Sequence, residues 1–470
     1  MSNFHEKGIQ VSQQSKQAWI VILAFICFSL LLILAGAGKI LNLAFPVGAF
    51  AIGMFLYVRE PLLFVGFNWW LWFLTPFVRR LADWKSGFTE PSPILLAPYL
   101  VTLVTVFTLW EHLPKIHRQG GLPFVFSFIG VFYGFLVGLI YRSPIQVVLD
   151  LLEWLIPLLF GFYLFVNWQN YPSYRQNIQR VFLWGVLVMG IYGIIQFLVL
   201  PEWDRSWLIN ANFASGGQPY ALLINVWSTM NANRPFGTVM MAGLLLLFVN
   251  DRKGVLGIPA TVAGYVAFLL TKKRTTWLSW ALGLFAMINS LKPHIQMRII
   301  VTIMVTIILV IPLTTIEPFS DVIYSRFETF SNLEEDNSGE ARQETYNQYL
   351  GEALTSWTGE GLGGPSHDSA ILSTLLNLGW LGTFPYMGGI LLSFFSLFQG
   401  SESRFDPFAA VARAIAFASL SQIPLGNPFA SVQGVILWGF TGIGMAAQRY
   451  YQYQNNNQKK EKYNTRLWLK

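Results

Sequence analysis

Fourteen runs of apolar residues, most of them about 16 to 24 long, take up the greater part of this chain, and a stretch of that length with hardly a charge belongs in a bilayer. They fall at 18–38, 40–57, 61–78, 93–110, 122–141, 145–166, 180–200, 235–250, 255–270, 275–291, 299–316, 369–398, 408–425 and 429–447. Hydrocarbon offers the backbone no hydrogen bonds, so each run must satisfy its own as a helix. The sequence therefore predicts an all-α, polytopic transmembrane bundle of about 12–14 spans, with the longest run free to bend at Pro385. Composition agrees: 54% hydrophobic and only 12% charged residues, with a mean hydropathy of +0.47, lie outside the range of a soluble domain. The single cysteine, Cys27, sits within the first run, which leaves no disulfide and no cysteine-based metal site. The polar residues before Ala18 lead into that run without a small-residue cleavage signal, so an uncleaved first helix is expected rather than a signal peptide.

Five segments follow: a polar start at 1–17, the first part of the bundle at 18–316, a loop at 317–368, the last spans at 369–447 and a Gln/Asn/Lys-rich tail at 448–470, expected to be disordered. The loop holds eleven acids and a helical pattern. Asn337 is a candidate cap with Glu340 three residues on, and Tyr346, Tyr349, Leu350, Ala353, Leu354 and Trp357 recur at helical spacing up to Gly359. Glu340, Glu344, Gln348 and Glu352 take the wet face, whereas Arg342 falls one turn before Tyr346 on the buried side. The sequence GEGLGGPSHD then reads as a flexible approach to His367, just before the next span.

Placing the N-terminus and the tail in the cytoplasm puts nineteen of the 31 Lys and Arg residues inside and both long loops, 201–234 and 317–368, outside. The tail there is free to meet anionic headgroups. Twelve cations oppose this bias: Lys39, Arg79, Arg80, Lys85, Arg142, Arg205, Arg234, Lys272, Lys273, Arg274, Arg326 and Arg342. Lys272, Lys273 and Arg274 crowd a very short connection, which points to an anion on the outer face. Phosphate or diphosphate suits converging guanidinium and ammonium groups; snorkelling anchors at helix ends are the other reading of each such residue. His367, with an ordinary pKa near neutrality, can carry a proton at physiological pH, or can simply hydrogen-bond a loop carbonyl. Trp203, Trp207 and Trp227 could stack on sugars, but interfacial anchoring is the preferred reading of them. A phosphate loop, a G-x-S-x-G elbow, H-E-x-x-H and any nucleic-acid module are missing from the sequence.

In order and spacing, several motifs resemble the O-antigen ligase and polymerase superfamily of membrane glycosyltransferases. They are Asn233-Arg-Pro-Phe-Gly-Thr238 leading into Met240 to Phe248, Lys273-Arg-Thr-Thr-Trp277, Arg342 with Trp357, Gly359 to Gly364, and His367 before Leu378-Gly-Trp-Leu-Gly382. The resemblance implies transfer of glycans from an undecaprenyl-diphosphate donor to a glycan or lipid-linked acceptor. The transfer would be inverting, without metal, nucleotide or other cofactor, on the external face of a bacterial inner membrane. Arg234, Arg274 and Arg342 would hold the diphosphate and His367 would act as base. Lys272, Lys273 and Thr275 stand where small residues are usual, which adds Lys273 to the diphosphate set. Asp368 follows the histidine where an amide or hydroxyl residue is common. Polymerisation or exopolysaccharide assembly is preferred to ligation. A transporter of a small anion such as bicarbonate is the alternative, with Asp150 and Glu153 the main ionisable pair inside the spans; a structural scaffold is a third.

Overall fold

The computed structural model describes residues 2–249, 254–288, scattered positions between 291 and 304, 337–364, 369–399 and 403–468, with backbone alone at 2–15, 117–119, 214, 337–342 and 460–468. Apart from one antiparallel bridge between Gly217 and Ile224, the regular structure among these residues is helical. In chain order the helices are α1 Ser2–Leu34, α2 Gly38–Arg59, α3 Pro61–Ser86, α4 Ala97–Leu103, α5 Val106–His112, α6 Leu122–Tyr141, α7 Pro144–Val166 and α8 Tyr171–Val199. There follow α9 Glu202–Asn210, α10 Asn233–Val249, α11 Gly257–Leu270, α12 Arg274–Ile288, α13 Asn337–Thr355, α14 Ala370–Gln399, α15 Pro407–Leu420 and α16 Ser431–Trp468.

Among the described residues, eight stretches are long and apolar enough to cross a membrane: Lys16–Leu34, α2, α3, Pro93–Ile116, α6, α7, Trp168–Val199 and α14. Asn233–Val249, Gly254–Leu270 and Pro407–Leu420 are shorter apolar helices, and the run at 299–316 lies largely outside the described residues. Large apolar side chains stand bare along these elements, among them Leu34 at 77% exposure, Val47 at 66% and Ile140 at 75%. In water they would form a patch no monomer tolerates; in hydrocarbon they are solvated. This is a multi-pass membrane protein.

The run at 93–110 is not one smooth helix. It opens with a 3-10 turn at Pro93–Leu96, and a gap separates α4 from α5, where the Thr105 hydroxyl donates to the Thr102 carbonyl at 2.7 Å. The tail also departs from expectation. It carries α16 on to Trp468, because no glycine or proline follows Gly444 and Gln, Lys, Glu and Arg hold helix well.

The chain divides into two compact units. One comprises 1–107, 173–243 and 253–271; the other 108–172, 244–252 and 272–470. In the first, α8 meets α11 where a Cβ on Gly190 would come to 2.8 Å from the Ala263 carbonyl carbon. Its polar centre is a buried ion pair, Arg80 Nη1 to Asp204 Oδ1 at 2.8 Å, with both side chains fully buried. Asp204 Oδ2 also accepts from the Tyr192 hydroxyl at 2.5 Å, and Tyr192 accepts from Trp203 Nε1 at 2.7 Å. Gln196 Oε1 takes the amides of Trp227 and Ser228, while Arg80 donates to the Ser228 carbonyl. These bonds fasten the 201–230 stretch to α3 and α8.

In the second unit, α7 crosses α16 at two glycines, close enough that a Cβ on Gly442 would fall 2.0 Å from the Gly161 carbonyl. An aromatic core of Phe124, Phe162, Phe165 and Trp438 fills the space beside them. At one end, Asp406 caps α15 through the amides of Phe408 and Ala409 and accepts from the hydroxyls of Tyr171 and Tyr451 at 2.7 and 2.9 Å. The other end of this unit holds the candidate site.

Candidate functional site

The site is built around a helix that breaks. α14 is helical on both sides of Gly379, but Gly379 itself has φ 57° and ψ −176°, a conformation closed to residues with a Cβ. This break lies six residues before Pro385. A continuous helix would give the Leu376 carbonyl to the Trp380 amide and the Asn377 carbonyl to Leu381. Here the segment after α13 supplies the partners instead. Glu360 N donates to Leu376 O at 2.7 Å, while Trp380 N and Leu381 N donate to Ser356 O at 3.4 Å and Trp357 O at 3.1 Å. Unsatisfied backbone groups at such a break would each cost several kcal/mol in an apolar setting, roughly 2–7, so the break and the segment require each other.

The glycines of this segment fit it into the bundle. α6 presents Gly130, Gly134 and Gly138 along one side, where Gly130 lies against Gly382 and Tyr386 of α14. Leu362 N donates to Gly134 O at 2.9 Å, and a Cβ on Gly361, whose φ is +80°, would lie 2.0 Å from the Gly138 amide. Leu362 is fully buried beside Val131, Val147 and Trp154. Gly363 N donates to Asp150 Oδ2 of α7 at 2.7 Å, and the Tyr133 hydroxyl donates to Thr358 O at 3.1 Å. The expected flexible approach is thus corrected over 359–364: the glycines permit close packing, and the segment is pinned on three helices.

α13 is anchored to the same place. Its apolar side meets α14 through Ala353 against Leu372, Leu375 and Leu376, with Tyr346 and Tyr349 packed alongside. The Tyr346 hydroxyl and Ser369 Oγ share a hydrogen bond of 2.5 Å. Glu344, Gln348 and Glu352 face out as the pattern requires, whereas Leu350, Leu354 and Trp357, expected to pack, are exposed. The helix stops at Thr355, short of Gly359, because the residues after it are drawn into the α14 break.

Charge gathers where this segment leaves the bundle. Arg142, just past the end of α6, forms an ion pair through Nη2 with the Glu360 carboxylate. Gly364 packs beside both Arg142 and the Asn377 amide, and Asn377 and Asn427 both donate to Ser373 Oγ. Among the described residues no three histidine, cysteine or carboxylate side chains converge as metal ligands would. No family model and no curated protein matches the chain.

The residues expected to act fall as follows. Arg234 is at the start of α10, half-buried, in the first unit. Lys273 and Arg274 open α12 in the second unit, half-buried, after Lys272 with φ +52°; the Lys273 carbonyl accepts from Thr276 Oγ1 at 2.9 Å. Arg342 is in α13, where the backbone alone is described, and His367 lies outside the described residues, between Gly364 and Ser369. Several of the other opposing cations have partners of their own. Arg79 binds Asp83, Glu90 and the Thr89 carbonyl and lies over Trp207, and Arg80 is taken by Asp204. Lys85 rests over Trp84. Trp207 and Trp227 are buried within the first unit and Trp203 is half-buried and hydrogen-bonded to Tyr192 there. Arg142 was among the twelve opposing cations and Glu360 within the glycine motif, but the sequence did not pair them, and the α6 glycines were not singled out; the spacing of Gly130, Gly134 and Gly138 was the available signal.

Proposed function

We propose that the protein is a membrane glycosyltransferase of polysaccharide assembly, acting on glycans linked through a diphosphate to a polyprenyl carrier. The observation that supports it best is the fixed Gly359–Gly364 segment, which lies at a charged corner of the second unit and ends three residues before His367 in the sequence. Chemistry between two bound substrates needs its proton acceptor held to a fraction of an ångström, and this anchoring supplies a fixed origin. In the proposed reaction His367 takes the proton of an acceptor hydroxyl as its oxygen attacks the anomeric carbon from the face opposite the diphosphate. The carbon–oxygen bond to the diphosphate breaks with inversion. Lys273, Arg274 and Arg342, the expected cations of the second unit, hold the departing oxyanions, and fixed cations stabilise that charge more than the ground state. The motif order from Asn233 to Gly382 supports the same assignment. A broken span also occurs in ion carriers, where freed backbone groups bind the ion; here the Leu376 carbonyl and the Trp380 and Leu381 amides are already satisfied.

The working orientation places both termini in the cytoplasm and the site on the outer face of a bacterial inner membrane. Carrier-linked and surface glycans from a strain lacking the protein, beside one carrying only His367→Ala, test the proposal. Single repeat units accumulating on the carrier mark a polymerase and full-length chains stranded there mark a ligase. Unchanged glycans with altered uptake of a small anion would refute the transferase and favour a carrier.

A further inference from the structure

We infer that Arg142 is an additional binding residue for a phosphate-bearing anion and that Glu360 is its resting counter-ion, released when the anion arrives. Four observations carry this. The pair is not required to hold the glycine segment, which the Leu376, Gly134 and Asp150 bonds already fix on α14, α6 and α7. Both side chains are about one-third exposed, Arg142 at 32% and Glu360 at 38%, so the pair contributes little to stability and opens without a large penalty. The pair engages Arg142 through Nη2, while Nε is buried with no hydrogen-bond partner among the described residues. A guanidinium offers five donors, and two phosphate oxygens would use more of them than one carboxylate does. Finally, the guanidinium lies against Gly364: a Cβ there would be 3.6 Å from Nη2. An anion on Arg142 would thus sit at the exit of the segment that precedes His367 in the sequence.

The inference deepens the proposed function, since the anion would be the donor's diphosphate or a second phosphate nearby, but it is tested by binding alone. Purified full-length protein in detergent is titrated with inorganic pyrophosphate and, separately, in vesicles containing a polyprenyl diphosphate or the uncharged polyprenol, following tryptophan fluorescence. Glu360→Gln frees the cation and is expected to tighten binding about 2- to 5-fold. Arg142→Gln is expected to weaken it about tenfold, and Arg142→Lys, which keeps the charge but not the fork, falls between. Opposite shifts with both diphosphates assign the head group. Opposite shifts with the lipid diphosphate alone assign a carrier-linked anion. Either result upholds the inference even in protein that transfers no glycan, which would refute the transferase separately. Wild-type affinity in both variants, or a parallel fall in both together with their thermal stability, overturns it and leaves the pair a strut.

Discussion

At the scale of single residues, two kinds of side chain decide what the chain tolerates. Arg80 and Asp204 are a buried charge pair, and removing one partner leaves the other uncompensated, at a cost of about 3–5 kcal/mol. Arg80→Ala and Asp204→Ala are therefore expected to lower the unfolding temperature in detergent markedly, whereas Arg205→Ala, on an exposed and loosely paired cation, leaves it near wild type. Equal melting of all three would contradict the buried network. The glycines divide just as clearly. Gly361→Ala drives a methyl to 2.0 Å from the Gly138 amide, and overpacking of that order costs about 1–3 kcal/mol or more, but at Gly351, within α13, a Cβ meets nothing within 4 Å. Gly351→Ala is expected to stabilise by about 0.5–1 kcal/mol, because alanine loses less backbone freedom in a helix. Thermal unfolding of the two variants side by side checks both signs.

At the scale of elements, the α14 break and the Gly359–Gly364 segment form one hydrogen-bonded unit, which makes a claim about dynamics. The amides of Glu360, Leu362, Gly363, Trp380 and Leu381 all have protein acceptors. Hydrogen exchange resolved by mass spectrometry is expected to show the 358–364 peptide protected to the level of the spans. Exchange at the rate of an exposed glycine loop would contradict the packing. The helices themselves were legible in the sequence, since a bilayer permits little else: 40–57, 122–141 and 145–166 appear as α2, α6 and α7 with ends within a residue or two. The apolar side of α13 was half legible, because helical spacing identifies candidates for burial but not how much of a neighbouring helix there is to cover them. What could not be read was pairing at long range. Arg142 and Glu360 are 218 residues apart and Arg80 and Ser228 are 148 apart, and no local pattern joins them. GEGLGG read as flexible because glycine permits both motion and close approach, and the Gly134 and Asp150 partners that select the second lie more than 200 residues away.

At the scale of the whole molecule, the chain is a multi-pass helical membrane protein whose proposed chemistry rests on one charged corner of its second unit. The proposed orientation predicts that, in a Cys27→Ser background, a cysteine at Ser143 reacts with an impermeant maleimide added to intact spheroplasts while one at Gln458 reacts only after lysis. The reverse pattern would place the site on the cytoplasmic face. Purified protein supplied with a polyprenyl-diphosphate-linked glycan and an acceptor, with no nucleotide and with a chelator present, tests the central claim most directly. The account predicts a lengthened or transferred glycan with inverted anomeric configuration from the wild type and none from His367→Ala of equal stability. Equal turnover by the two proteins, or no transfer by a well-folded wild type under any lipid condition, would contradict it.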